Sequence, residues 1–169
     1  METTWDLTPL FPGLESPEFQ RAWEGLKGRI GELKGLLERE APLPEVLAAL
    51  DAFLEEATPL RAYLYARYSA DTRDEAALAK LSELEILFLD FQRLRPRLTR
   101  YLALKDPEEA GPYRLLVEEA KEEALHMMPE GEEVLAAELS LSGRAAWDKL
   151  HESLTSQITA VADGEEMPI

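Results

Sequence analysis

The side chains able to do acid–base or metal chemistry are of few kinds: two histidines, many carboxylates and no cysteine. His126 and His151 are too far apart in sequence to be a one-turn helical ligand pair. His126, near the end of a helical pattern, reads as a partner for the last helix carbonyls and the helix dipole. His151 and Glu152 open the string HESLT. HExxH motifs set two imidazoles one helical turn apart so that both reach one metal ion, with the glutamate as general base. Here the fifth position is Thr155, the second ligand is missing, and the likeness stops at two residues. Carboxylate pairs recur at Glu55-Glu56, Glu108-Glu109, Glu118-Glu119, Glu122-Glu123, Glu132-Glu133 and Glu165-Glu166. Acid–base work needs two carboxyls converging in a site that splits their pKa values. Adjacent helix residues point about 100° apart instead, and such pairs lie by default on a solvated face. No catalytic residue, metal ligand or cofactor is assigned to this chain.

The most suggestive polar–aromatic patch is Tyr63, Tyr65 and Tyr68 with Arg61 and Arg67. Tyrosine beside arginine suits peptide or nucleic-acid binding, and it equally suits packing at the margin of a core. Phosphate-cradling glycine loops, nucleophile elbows and helix-turn-helix signatures are absent.

Charge narrows the partners. With 34 acidic against 18 basic residues the formal net charge is −16. Nucleic acid and anionic membranes both call for clustered Lys and Arg, so both are disfavoured. The apolar fraction, 46%, is that of a folded domain rather than a disordered chain, and 169 residues suit a single domain. No run of about 18 apolar residues is present to span a membrane. The start, METTWDLTPLF, has neither a basic nor an apolar signal region. A cytoplasmic protein is expected, and the absence of cysteine fits that.

The elements that must carry these residues are helices. Residues 1–15 form an extended arm bearing Trp5, Leu7, Leu10 and Phe11 between breakers Pro9, Pro12 and Gly13. Ser16-Pro17 caps a first helix. Its stripe is Phe19, Trp23, Leu26, Ile30, Leu33 and Leu37. Gly25, Gly28, Gly31 and Gly35 inside it fit either a close helix neighbour or a weak helix. Pro42 and Pro44 start a second helix, with a kink or break expected at Pro59. Thr72 and Glu75 form a capping box for a third, which Pro96 bends. A fourth opens at Asp106-Pro107, delayed by Gly111-Pro112. A fifth spans Glu130–Leu139 and a sixth Arg144–Ser156. In the tail, Ile158, Ala160 and Ala162 alternate ahead of the turn signal Asp163-Gly164. The expected fold is all-α: a bundle of five to six antiparallel helices, some long and kinked, with a short extended or β segment at the end. The helical domain covers 16–156. Residues 157–169 start a linker or strand towards a catalytic domain outside this chain, as expected of a piece of something longer.

Three stretches carry a resemblance. TTWDLTPLFPGLESPEF resembles the start of oligoendopeptidase F-type zinc peptidases. AYLYARYSADTRDEAA resembles their helix–turn–helix region around SADT. PEGEEVLAAELSLSGRAAWDKLHESLTSQITAVADGEEMPI is similar to the segment leading towards their catalytic domain. The resemblance implies an N-terminal helical domain that walls a deep channel, admitting short peptides and excluding folded proteins. It further implies a zinc site, HExxH with a downstream glutamate, on a catalytic domain of the same polypeptide; no residue here matches those ligands. On that reading Ser69-Ala70-Asp71-Thr72 is a turn and cap between long helices. Tyr63, Tyr65, Arg67, Tyr68 and Asp71 are then candidate contacts to peptide or to the neighbouring domain. The chain alone is expected to be inactive and to self-associate through uncovered apolar surface. The alternative is a free-standing acidic helical module for interaction or dimerisation, without activity.

Overall fold

The computed structural model describes residues 6–71, 73–155, 157–162 and 165–168. Six α-helices stand among them: α1 (Pro17–Glu38), α2 (Leu43–Ala70), α3 (Glu75–Ala103), α4 (Arg114–His126), α5 (Glu130–Ser142) and α6 (Arg144–Thr155). A 3-10 segment, Pro107–Tyr113, precedes α4, and two short strands, β1 (Thr159–Ala162) and β2 (Glu165–Pro168), pair antiparallel at the end. The fold is the helical bundle expected. The expected turn at Asp163-Gly164 lies outside the described residues, as do Trp5, Thr72 and Ser156.

The apolar stripe of α1 is buried in full, and Ser16 caps it by accepting the Phe19 amide at 3.3 Å. The chain leaves α1 through a Schellman turn: the Ala41 amide donates to the Leu36 carbonyl at 3.0 Å and the Glu40 amide to Leu37. Glu40 occupies the left-handed position at φ 51°, where glycine is the usual residue. Helix α2 then runs antiparallel to α1. Phe19 at the start of α1 meets Tyr63 late in α2, ring centres 5.9 Å apart, and Arg29 reaches Glu56 at 3.1 Å. Helix α3 returns along α2, with Phe53 stacked on Phe91 at 4.3 Å and Tyr101 donating to the Ala41 carbonyl.

Neither internal proline ends its helix. α2 is continuous through Pro59 and α3 through Pro96, so the break expected near Ala57 and Thr58 is absent. A helical proline orphans the carbonyl four residues earlier. Those residues are Glu55 and Gln92, both exposed, so water can take the freed carbonyls. Phe53, Ala57, Leu60 and Leu64 meanwhile stay buried on both sides of Pro59 and hold the helix to its neighbours.

The four glycines of α1 divide. A Cβ on Gly25 would fall 2.4 Å from the Glu56 carboxylate, which reaches over from α2; Gly28, Gly31 and Gly35 have nothing within 4 Å. A close neighbour therefore accounts for Gly25 and for none of the other three. The arm folds back onto its own helices: Phe11 and Leu14 are buried, and Phe11 packs edge-on against Phe19 and Tyr63.

Gly111, at φ 55°, turns the chain inside the 3-10 segment and delays α4 to Arg114. Helix α5 then lies along α3, where Arg93 pairs with Glu138 at 2.9 Å, and α6 packs on α5 and reaches α3 through the Glu85–Lys149 pair. Neither α5 nor α6 buries a residue. Trp147, Leu150 and Leu154 remain 70%, 46% and 56% exposed, one turn apart along one face of α6. Uncovered apolar surface was expected at the arm and around Ile158. Among the described residues the arm supplies Leu10, at 41% exposed, and Ile158 is 50% exposed, while α6 adds the stripe that was not expected.

Candidate functional site

A groove of about 360 Å3 opens where α6 stands off from α2 and α3. Its α2 wall carries Arg61, Tyr65 and Tyr68, and its α6 wall carries Asp148, Lys149 and Glu152. The floor, from α3, is mostly apolar and includes Leu81 and Phe88. A second hollow of about 370 Å3 lies beside it and shares Arg61, Tyr65 and Phe88. Helical spacing explains the α2 wall, since positions 61, 65 and 68 are one turn apart and fall on one face.

The five candidate residues separate by role. Tyr65 is exposed and Tyr68 half-buried, both in the groove. Tyr63 is turned the other way, buried among Phe11 and Phe19. Arg67 is half-buried and engaged. Its Nε donates to Asp74 at 2.6 Å and its Nη1 to the Tyr63 hydroxyl at 3.3 Å. The Asp74 pair, chiefly, raises the Arg67 guanidinium above its already high ordinary pKa. Asp71 ends α2 and accepts the Arg73 amide at 3.0 Å and the Arg73 guanidinium at 3.2 Å. These bonds, the amide first, hold the Asp71 carboxyl below its ordinary pKa. Arg67 and Asp71 thus build the turn between α2 and α3, while Tyr65 and Tyr68 face open space.

The cap of α3 is Asp74, whose carboxylate accepts the Ala77 amide at 2.9 Å. The cap expected at Thr72, which lies outside the described residues, is supplied by Asp74, and with Ala77 three residues on there is no reciprocal capping box. Aspartate caps as well as threonine or better, and the Arg67 pair gives Asp74 a second reason to sit there.

Sequence reading missed the α6 wall. Asp148, Lys149 and Glu152 lie on a helix noticed only for its apolar stripe, and nothing local marks the polar face as facing Tyr65 and Tyr68 across α3. The one available signal was the spacing of 145, 148, 149 and 152, a second helical stripe opposite the first.

The described residues do not bring together a zinc centre. His126 stands in the last turn of α4 and His151 on α6. No three His, Asp or Glu side chains among the described residues converge as metal ligands. No helix among the described residues is long and apolar enough to cross a membrane.

Comparison with known proteins adds one finding. Residues 100–159 match the family model described as Oligopeptidase F, an N-terminal model of the M3 peptidases. The matched stretch begins in the last turn of α3 and runs through α4, α5 and α6 into β1. It contains the α6 wall of the groove but not the α2 wall. No curated protein and no solved structure matches the chain. Residues 100–159 are thus similar to the N-terminal part of oligoendopeptidase F-type peptidases.

Proposed function

We propose that this chain is the channel-wall domain of a zinc-dependent oligoendopeptidase that hydrolyses short peptides in the cytoplasm. The observation that carries the proposal is the family match over residues 100–159. The zinc site and its glutamate base belong to a catalytic domain of the same polypeptide, and that domain is this chain's principal partner. The wall's contribution is steric and positional: it limits entry to slender peptides and holds them against the reacting domain. Alone, the chain turns nothing over. Purified chain incubated with zinc and a quenched fluorescent peptide should give no signal above blank. Cleavage that a chelator abolishes would sink the proposal.

A second reading, an acidic helical interaction module without activity, is favoured by one observation, the uncovered face of α6 at Trp147, Leu150 and Leu154. The same face suits docking against a catalytic domain, and the family match over residues 100–159 supports the peptidase reading.

A further inference from the structure

The groove between α2, α3 and α6 holds two opposite charges that the chain itself leaves unused. Arg61 alone among the described arginines makes no ion pair or hydrogen bond with a described residue. That is unexpected where acidic residues outnumber basic ones 34 to 18. Its helical neighbours explain it. The positions three and four residues away are Ala57, Thr58, Leu64 and Tyr65, none of them acidic. Across the groove, the Glu152 carboxylate likewise has no cationic partner among the described residues. Lys149, one turn before it on α6, is held by Glu85 of α3 instead. A guanidinium on one wall and a carboxylate on the other therefore face an apolar floor containing Leu81 and Phe88. The complement of that pattern is a short apolar molecule with a negative and a positive end.

We propose that this groove is a subsite for a short apolar peptide with both termini free. Arg61 receives the terminal carboxylate, Glu152 the terminal ammonium, and the apolar side chains lie over Phe88 and between Tyr65 and Tyr68. The choice of a peptide as ligand rests on the channel-wall reading; the requirement for two free ends comes from the charges. Guanidinium and carboxylate meet as a planar fork, which favours a carboxylate end over a neutral amide. The flanking Asp148 and Glu85 disfavour a peptide carrying additional acidic side chains.

The test is titration of the isotope-labelled chain with the tripeptide Leu-Phe-Leu in four forms: free, amidated, acetylated, and blocked at both ends. Amide resonances of α2 around Arg61 to Tyr68 and of α6 around Asp148 to Glu152 should shift with the free peptide. Blocking either end should weaken binding about fivefold, the scale of one solvent-exposed ion pair. Arg61→Gln should erase the difference between free and amidated peptide while keeping that between free and acetylated; Glu152→Gln should do the reverse. Both residues are exposed, so circular dichroism should show both variants folded. Equal binding of all four peptides, shifts confined to other surfaces, or no shift at millimolar peptide would overturn the subsite. None of these results would touch the channel-wall assignment, which is tested by peptide cleavage and by what the gene encodes.

Discussion

Asp74 binds two partners at once: the Arg67 guanidinium of α2 at 2.6 Å and the Ala77 amide of α3 at 2.9 Å. One carboxylate thus caps one helix and ties it to the end of the previous one. Asp74→Ala removes the cap and strands a half-buried guanidinium. It should cost about 2 kcal/mol in urea unfolding, the upper part of the range for a lost cap. Its acid behaviour follows. The Ala77 amide, then Arg67, hold the Asp74 carboxyl below its ordinary pKa against the opposing effect of burial. A carboxyl with a depressed folded pKa stabilises the fold above its unfolded pKa of about 4, and that contribution is lost as pH falls through the folded value. The stability gap between the native chain and Asp74→Asn should therefore be full at pH 7 and shrink below about pH 4. A gap constant from neutral to acid pH would show that the pairing carries no charge-dependent stability.

Glycine is misplaced for stability at three positions of the first hairpin. Gly28, Gly31 and Gly35 have open space where a Cβ would go, so alanine there should stabilise by about 0.5–1 kcal/mol each. Gly25→Ala should gain nothing, because its methyl displaces the Glu56 carboxylate from Arg29. Glu40 is the converse, a left-handed residue in a Schellman turn, and Glu40→Gly should stabilise by about 0.5–1 kcal/mol. Thermal unfolding of the five variants checks the pattern. A gain at Gly25 equal to that at Gly28 would contradict the seat of the Glu56 carboxylate over Gly25.

These positions also show what the sequence could and could not disclose. The stripe from Phe19 to Leu37 and the Ser16 cap were legible because helix periodicity and capping are local. The continuity of α2 through Pro59 was not, because it depends on burial of Phe53, Ala57, Leu60 and Leu64 against other helices. Asp74 was passed over for Thr72 because the deciding partner, Arg67, is reached only once two helices fold together. The groove was half legible: Tyr65 and Tyr68 stood out as a polar–aromatic patch, but Tyr63 from the same patch went to the core. The α6 wall is placed by its packing on α5 and by the Glu85–Lys149 pair to α3, which no spacing rule encodes.

The exposed face of α6 should make the isolated chain self-associate. Trp147, Leu150 and Leu154 form a contiguous apolar stripe with nothing over it among the described residues. Sedimentation equilibrium should show concentration-dependent dimerisation, weakened about tenfold or more by Trp147→Glu, as expected for a buried aromatic anchor. A strict monomer at high concentration would show that this face does not associate.

The central claim is that these helices wall a reaction centre carried further along the same polypeptide. Sequencing the reading frame that encodes the chain, beyond the codon for Ile169, tests it most directly. The account predicts an open frame of some hundreds of codons encoding HExxH and a further glutamate ligand downstream. A stop codon immediately after Ile169, with no peptidase half encoded beside it, would contradict the account and leave the interaction-module reading in its place.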